Sequence, residues 1–235
     1  MGSNVKNSGK PLVSVVIPAL NEAGTIERVI EQLKRISPYP TEIIVVDGGS
    51  YDGTQERALN GGAKIIFDRR PGYGRAIRTG LEHATGEAVV VIDADGTYRV
   101  EDLPRLLSLL IEGKADIALA SRLGGTILPG AMEGLNYVGN RMFAFIYDLL
   151  FRMRLKDTQT GFRALSRRAL EVISLTEDGM PISTEILVQA AKRSLRIVEI
   201  PSLYRPRTGE SKTKLRPFRD GLKILRTMAV QKLAA

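Results

Sequence analysis

Five short apolar segments alternate with amphipathic ones along the first half of the chain. These segments are rich in Val and Ile, and they span 12–20, 42–49, 64–68, 88–95 and 116–123. Nearly continuous apolar runs of this length are typical of strands covered on both faces, as in parallel sheets. The segments between them show helical periodicity, most clearly over 23–36. The alternation therefore predicts an α/β fold with a doubly wound, mostly parallel sheet.

The pattern changes in the second half of the chain. It predicts a Gly-rich loop over 124–140, followed by an apolar helix with basic ends over 141–156. A further helix over 182–194, a strand over 195–204 and a basic amphipathic helix over 217–233 complete the prediction. The sequence shows no internal repeat and no sign of a second core. We therefore expect a flexible lead over 1–10, one domain over 11–215 and a C-terminal amphipathic helix over 216–235.

Residue usage excludes several kinds of chemistry. The 235 residues include no Cys and a single His, His83, which excludes disulfides, zinc thiolates and a thiol nucleophile and argues against a Ser-His-Asp triad. The absence of Cys fits a location in or facing the cytosol. No run of about 18 apolar residues occurs, so we expect no membrane-spanning helix.

The positive charge of the chain is concentrated at its C-terminal end. The net charge is +8, and residues 192–235 hold 12 Lys and Arg against 3 Asp and Glu. This excess indicates an anionic partner, such as a diphosphate, lipid headgroups or a nucleic acid, or else a solvated basic tail. Aromatic residues make up only 6% of the chain and no nucleic-acid-binding motif is present, so we expect no nucleic-acid partner.

Polar side chains follow four of the predicted strands at the points where those strands end. Glu22 lies just after the first strand, Asp47 ends the second, Asp93 and Asp95 end the fourth, and Arg122 ends the fifth. Since the carboxyl ends of parallel strands meet at one edge of the sheet, we expect these residues to share a ligand-binding rim.

Asp93 and Asp95 are the strongest candidates for chemistry at this rim. Residues i and i+2 of an extended segment point to the same side. Buried carboxylates are costly unless they are paired or bind a metal, and their oxygens suit Mg²⁺ or Mn²⁺. The pair therefore predicts a site for a metal-bound diphosphate. The alternative is that both side chains only cap the following turn or helix.

Five motifs together resemble a known family. They read SVVIPALNEAGTI, EIIVVDGGSYDGT, VVVIDADGTY, DTQTGFRAL and GESK, and they begin at 14, 42, 89, 157 and 209. The first three resemble the family 2 inverting glycosyltransferases of GT-A fold. The last two resemble its polyprenyl- and dolichyl-phosphate sugar synthases, typified by dolichyl-phosphate mannosyltransferase. The resemblance covers 12–215 and implies a Rossmann-like GT-A catalytic domain there.

This resemblance implies a reaction. The chain would transfer a single sugar from a nucleotide donor to dolichyl or polyprenyl phosphate, with inversion at the anomeric carbon and with Mg²⁺ or Mn²⁺ as cofactor. Mannose from GDP-mannose is the commonest case in the family. The alternatives are UDP-glucose or UDP-N-acetylglucosamine as donor, or a soluble transferase acting on a sugar hydroxyl. The enzyme would make peripheral contact with the cytoplasmic face of the cell membrane.

The resemblance also implies roles for individual residues. The nucleoside would lie against Pro18, Leu20, Glu22, Val45 and Asp47. The sugar, metal and diphosphate would be held by Asp93, Ala94 and Asp95. Thr97 would be a further metal ligand, at a position where the family often has Gln. Arg207 and Lys212 would approach the diphosphate from a C-terminal loop, with Arg205 as the alternative to Arg207.

The nature of the acceptor separates two kinds of transferase. A phosphomonoester has a second pKa of about 6 and is already largely dianionic, so it needs cations more than a general base. Arg122, Arg141 and Arg163 are candidate cations for it, and Asp157 would either orient them or act as a base. Glu185 would serve the same site or lie on a solvated helix face.

Helix 141–156 is more apolar than one core-facing stripe requires, and basic residues flank it. We expect it to lie in the membrane interface and receive the polyprenyl tail, or else to be a core or dimer helix. The same two interpretations apply to helix 217–233.

Overall fold

Seven strands form a single sheet in the computed structural model, which describes residues 12–70, 72–208 and 216–233. Their bounds are β1 Val13–Ala19, β2 Thr41–Asp47, β3 Lys64–Phe67, β4 Ala88–Val91, β5 Ile117–Ile127, β6 Arg163–Ser166 and β7 Ile197–Tyr204. The helices are α1 Ile26–Ile36, α2 Thr54–Asn60, α3 Tyr73–His83, α4 Leu103–Ile111, α5 Gly134–Phe151, α6 Arg167–Val172, α7 Ile182–Lys192 and α8 Pro217–Leu233. A short 3₁₀ turn, Val100–Asp102, precedes α4.

The sheet has the order β3-β2-β1-β4-β6-β5-β7. All neighbouring pairs are parallel except those of β6, which runs antiparallel to both β4 and β5. The chain proceeds outwards from β1 in one direction through β2 and β3, and β4 lies on the other side of β1. This reversal is the topological switch point at which open α/β sheets bind ligands. The predicted α/β, mostly parallel architecture is confirmed.

Helices cover both faces of the sheet. In β1, Val15 and Ile17 pack into the layer that contains α1 and α4, whereas Val16 packs into the layer of α3, α5 and α7. Successive side chains of a strand point to opposite faces, so a doubly covered strand must be apolar throughout. The last helix, α8, adds Ile224 and Met228 to the second layer. No helix in the described ranges is both long and apolar enough to cross a bilayer.

Several predicted boundaries are wrong. The fourth strand ends at Val91 rather than at residue 95, which places both aspartates in the loop after the strand instead of at its end. The fifth strand does not end at Leu123 but continues to Ile127, because its pairing with β7 resumes after an irregularity that follows Ser121. The predicted loop over 124–140 therefore contains strand and helix, and the apolar helix spans Gly134–Phe151 rather than 141–156. Glycines and asparagines among residues 134–140 conceal its first two turns from pattern analysis.

Gly80 allows α3 to pack closely on β1. A Cβ at this position would lie 2.2 Å from Cγ1 of Val16, so the core has no room for it. We expect Gly80→Ala to lower the free energy of unfolding by about 1–3 kcal/mol through overpacking. The helix propensity of Ala, worth about 1 kcal/mol over Gly, would offset only part of this loss. Urea denaturation monitored by circular dichroism measures the change.

Gly139 provides the matched control for this prediction. It lies in α5 with no atom within 4 Å of a built Cβ, so Gly139→Ala should leave stability unchanged or raise it. Adding Val16→Ala to Gly80→Ala should recover part of the loss by making room. A Gly80→Ala variant as stable as the unsubstituted chain would contradict this packing argument.

Candidate active site

The loops after β1 and β2 are tied together by hydrogen bonds. The backbone N–H of Glu22 donates to Thr54 Oγ1 at 2.8 Å, and that of Tyr51 donates to Asn21 Oδ1 at 3.1 Å. Asn21 adopts a left-handed backbone conformation, with φ of 54°, which turns the chain at the end of the strand. These contacts place the end of β1 against the loop 48–53 and define one side of the rim.

Asp47 is fully buried at the end of β2. Its Oδ2 accepts hydrogen bonds from the backbone N–H groups of Gly49 and Ser50, both at 3.0 Å, and from Gln55 Nε2 at 2.7 Å. Asp47 therefore shapes the loop that follows it. Val45 and Pro18 are likewise buried within their strands, while Leu20 is exposed at the rim. Contact of these residues with a nucleoside stays a prediction.

Asp95 lies at the centre of an ionic cluster between β1 and β4. Its Oδ1 accepts hydrogen bonds from the backbone N–H and the hydroxyl of Thr97, at 3.0 and 2.6 Å. Its Oδ2 lies 2.7 Å from Nη2 of Arg207, and Nη1 of Arg207 lies 3.6 Å from Oε1 of Glu22. Three predicted site residues thus meet here, from three separate parts of the chain. Thr97 supports Asp95 in this arrangement, and its role as a metal ligand stays a prediction.

Asp93 lies beside this cluster and is partly buried. Its Oδ1 accepts a 2.7 Å hydrogen bond from the hydroxyl of Tyr73, at the start of α3. Burial, together with the charge of Asp95, raises the pKa of Asp93 above its usual range. A Cβ on Gly161 would lie 2.1 Å from Asp93 Oδ2, so the loop before β6 can approach this carboxylate only with glycine there. The site therefore holds two carboxylates close together, an arrangement that favours a cation.

Tyr73 is a site residue that pattern analysis of the sequence does not find. It belongs to the Gly-rich segment that opens α3, and only the packing of α3 against β1 and β2 brings its hydroxyl to Asp93. A tyrosine between two glycines before a helix is a weak signal, because the same pattern is common in ordinary turns.

Arg122 and Asp157 form a buried ion pair. Nε and Nη2 of Arg122 donate to Oδ2 and Oδ1 of Asp157 at 2.7 and 2.8 Å, and the Arg122 backbone N–H donates to Oδ2 at 3.0 Å. Burial alone would raise the pKa of Asp157, but the charge and hydrogen bonds of Arg122 hold it below its usual range. An ionised carboxylate whose oxygens are both engaged is a poor general base. The geometry favours orientation of Arg122 over base catalysis.

Arg163 is a buried cation at the start of β6. Nη1 donates to the Ser183 carbonyl at 3.2 Å, and Nη2 donates to Ser183 Oγ at 2.9 Å and to the Thr160 carbonyl. Its Nε makes no hydrogen bond within the described ranges. Burial lowers the pKa of this guanidinium. The charges of Arg122 and Arg163 oppose the rise in the pKa of Asp93, so both guanidiniums act on this carboxylate.

The remaining candidates are Arg141, Glu185, Lys212 and Ala94. Arg141 lies on the exposed face of α5 and makes no hydrogen bond or ion pair in the part of the chain that the structure describes. Of the two alternatives for Glu185, the solvated helix face is wrong, because its carboxylate is buried and accepts hydrogen bonds from the backbone of Thr176 and Glu177. Lys212 lies outside the described residues, and Ala94 is buried between the two aspartates.

The donor set of this rim fits Mg²⁺ or Mn²⁺. Among the described residues, no group of three or more His, Cys, Asp or Glu side chains could hold a metal by itself. Asp93 and Asp95 offer hard carboxylate oxygens from one short segment. Magnesium is usually bound by one or two carboxylates together with substrate phosphates, so a pair of this kind suits a metal that arrives with a diphosphate.

Comparison with known sequences identifies one family. The family model described as "Glycosyl transferase family 2" matches residues 14–174. Three similar proteins come from Haloferax volcanii. "Low-salt glycan biosynthesis hexosyltransferase Agl6" is 38% identical over 94% of this chain and 54% of its own length. "Glycosyltransferase AglJ" is 39% identical, over 89% and 68%. "Dolichyl-phosphate hexose transferase" is 37% identical, over 90% of each. The chain thus spans about half of the first relative.

Comparison with solved structures supports the fold. The Mycobacterium tuberculosis glucosyl-3-phosphoglycerate synthase, in complex with Mn²⁺, UDP and glucosyl-3-phosphoglycerate, superposes with a TM-score of 0.73. The match covers 95% of this chain and 80% of that one at 23% sequence identity. Similarity at this level of identity establishes the shared architecture and leaves the substrates of this chain to be inferred separately.

Proposed function

Because the chain belongs to glycosyl transferase family 2, we propose that it transfers one hexose from a nucleotide-sugar donor to a polyprenyl or dolichyl phosphate. The observation that carries this proposal is the position of Arg122 and Arg163, two buried cations beside the acidic rim. The buried Nε of Arg163 has no hydrogen-bond partner in the described ranges, and a guanidinium of this kind suits an acceptor that is itself an anion. The relative described as a dolichyl-phosphate hexose transferase, matched over 90% of both chains, supports the same acceptor.

The acceptor phosphate would act as the nucleophile without help from a base. One of its oxygens forms a bond to the anomeric carbon while the bond from that carbon to the donor diphosphate breaks, with inversion. Arg122, held by Asp157, and Arg163 would bind and orient the acceptor phosphate. A sugar hydroxyl would instead need a general base. The ion pair of Asp157 with Arg122 argues against that alternative.

The leaving nucleoside diphosphate gathers negative charge as the bond breaks. Asp93 and Asp95 would hold Mg²⁺ or Mn²⁺, which would neutralise the charge of the leaving diphosphate. The complex of the structural neighbour with Mn²⁺ and UDP supports this assignment. Arg207, and Lys212 outside the described residues, would bind the same diphosphate. Pro18, Leu20, Glu22, Val45 and Asp47 remain the proposed nucleoside contacts, and Asp93 and Ala94 the proposed sugar contacts.

A donor panel tests this proposal. Purified protein with Mn²⁺ and a polyprenyl phosphate in detergent is given radiolabelled GDP-mannose, UDP-glucose or UDP-N-acetylglucosamine in separate reactions. We expect organic-phase label from one donor, with GDP-mannose as the proposed donor, and no label after chelation of the metal. Failure of all three donors to label the lipid would overturn the proposed acceptor.

Helix α5 carries an exposed apolar stripe that suits a membrane surface. Its members are Leu135, Val138, Met142, Phe145 and Leu149, spaced three and four residues apart. Phe145 and Leu149 are 69% and 71% exposed. The exposed cations Arg141, Arg152 and Arg154 lie on or just after the same helix. An apolar face flanked by basic side chains is typical of helices that lie in the interface of anionic membranes. We propose that this stripe makes the peripheral membrane contact.

Charged substitutions in the stripe should strongly weaken vesicle binding. We expect the double variant Phe145→Asp and Leu149→Asp to lose at least about tenfold in partitioning into phosphatidylglycerol vesicles, since each change removes apolar insertion and adds a repelled charge. Vesicle flotation measures this. Leu59→Asp on α2, where Leu59 is 57% exposed, is the matched control and should bind normally. Equal binding by all three proteins would contradict the assignment of α5.

A further inference from the structure

Arg207 bridges two carboxylates that the donor site needs. Its guanidinium lies 2.7 Å from Asp95 Oδ2 and 3.6 Å from Glu22 Oε1. Asp95 is only 4% exposed and Glu22 is also buried, whereas Arg207 is partly exposed to solvent. Buried carboxylates are strongly destabilising without a nearby cation. Arg207 therefore supplies, in the ligand-free protein, the positive charge that this acidic rim requires.

Hydrogen bonds on both sides of Arg207 tie its segment to neighbouring parts of the fold. The N–H of Arg205 donates to the Thr97 carbonyl at 2.9 Å, and Arg28 Nη2 donates to Thr208 Oγ1 at 2.9 Å. Tyr204 forms an isolated bridge with Tyr98. These contacts hold the segment beside the rim, within reach of the Arg207 side chain.

A divalent cation at Asp95 would compete with this guanidinium. Both use the carboxylate of Asp95, and the two positive charges would repel each other at short range. Binding of the metal alone would therefore break the ion pair between Arg207 and Asp95. If a nucleoside diphosphate arrives with the metal, its phosphate oxygens offer Arg207 a new charge-assisted partner within the same site. Metal and nucleotide should then each strengthen the binding of the other.

We propose that Arg207 is a stand-in cation, which neutralises Asp95 and Glu22 while the site is empty and exchanges Asp95 for the diphosphate when metal and nucleotide bind together. The consequence is an ordered preference: the site takes up metal weakly by itself and strongly with the donor. This inference rests on the proposed nucleotide-sugar site and is independent of which molecule accepts the sugar.

Mn²⁺ binding, followed by the electron paramagnetic resonance signal of the free ion, tests this proposal without turnover. Titrations are run alone and with GDP or UDP, using whichever binds. We expect Arg207→Gln to raise the affinity for Mn²⁺ alone by about five- to tenfold, and to reduce the nucleotide–metal coupling, which is typically about 5- to 150-fold in such systems. Arg207→Lys, which keeps a charge but loses the planar fork, should lie between the two.

Arg226→Gln is the matched control, because it removes the same charge from an exposed position on α8 that has no role in the proposed site. This variant should bind Mn²⁺ like the unsubstituted protein. Unchanged or weaker binding of Mn²⁺ alone by a folded Arg207→Gln variant would overturn the proposal, and thermal unfolding verifies that it is folded.

The same titrations separate this inference from the proposed acceptor. Suppose that Arg207→Gln binds Mn²⁺ more tightly, while the unsubstituted protein makes no labelled lipid in the donor panel. This result would support the exchange by Arg207 and overturn the proposed acceptor. If the unsubstituted protein makes labelled lipid but Arg207→Gln leaves the affinity for Mn²⁺ unchanged, the proposed acceptor is supported and the exchange by Arg207 is overturned. An unsubstituted protein that binds neither Mn²⁺ nor nucleotide would overturn both.

Discussion

Replacing Asp95 with Asn should reduce sugar transfer by about 10²- to 10³-fold, the size of effect seen when one preorganised electrostatic contact to a developing charge is lost. Asp95 presents Oδ2 to a cation and has its other oxygen fixed by Thr97. The Asn side chain keeps the shape but lacks the negative charge that would hold the metal near the leaving diphosphate. Initial rates of transfer from the active nucleotide sugar measure the loss.

The matched control is Glu171→Gln, which removes a carboxylate from the exposed face of α6. It should transfer sugar at the unsubstituted rate. Mn²⁺ titration in the presence of nucleotide should show the corresponding loss of metal affinity in Asp95→Asn alone. If Asp95→Asn keeps more than a tenth of the activity, the metal–diphosphate role of this rim is wrong.

Replacing Asp157 with Asn should strongly destabilise the protein. Removing one partner of a buried ion pair leaves the other charge uncompensated and costs about 3–5 kcal/mol. For a chain of this size each kcal/mol lowers the melting temperature by about 2–4 °C, so a fall of about 6–20 °C is expected. The pKa of Asp157 is lower in the folded state than in the unfolded state. The ionised side chain therefore contributes its full share to the free energy of unfolding at a pH above the ordinary carboxyl pKa, and this contribution is lost as the pH falls through the lowered pKa. The stability loss should therefore shrink in acid.

Asp178→Asn is the control for this prediction, because Asp178 pairs with Arg78 at 2.9 Å on the surface. Breaking an exposed pair costs about 0–1 kcal/mol. Differential scanning calorimetry of both variants separates the two cases. Below its melting temperature, Asp157→Asn should still bind nucleotide normally, since the proposed role of the pair is to bind the acceptor. Equal melting temperatures for the two variants would contradict the buried ion pair.

The sheet and the acidic rim could be predicted from the sequence because their determinants are local. Strands β1, β2 and β4 are buried on both faces, so the β-branched runs that encode them are nearly uninterrupted. Asp47, Asp93 and Asp95 stand out because each interrupts or ends such a run. The parallel topology then brings their strand ends to one edge without further information.

The contacts that complete the site could not be predicted in this way, because they join distant parts of the chain. Tyr73 reaches Asp93 across 20 positions, and Arg207 reaches Glu22 and Asp95 from the segment after β7. The burial of Glu185 could not be predicted from the sequence either. Its position in α7 predicts either a site residue or a solvated face, whereas tertiary packing buries it against the loop at Thr176.

One competition experiment measures directly whether the acceptor is a lipid phosphate. Labelled donor and Mn²⁺ are supplied together with equal amounts of polyprenyl phosphate, the unphosphorylated polyprenol and 3-phosphoglycerate, and the products are separated by chromatography. The buried cations Arg122 and Arg163 predict that a phosphate is preferred over the polyprenol, and the exposed apolar stripe of α5 predicts that the lipid is preferred over 3-phosphoglycerate. Label should therefore appear in the polyprenyl phosphate alone. Label in the polyprenol or in 3-phosphoglycerate, or hydrolysis of the donor without transfer, would contradict the account.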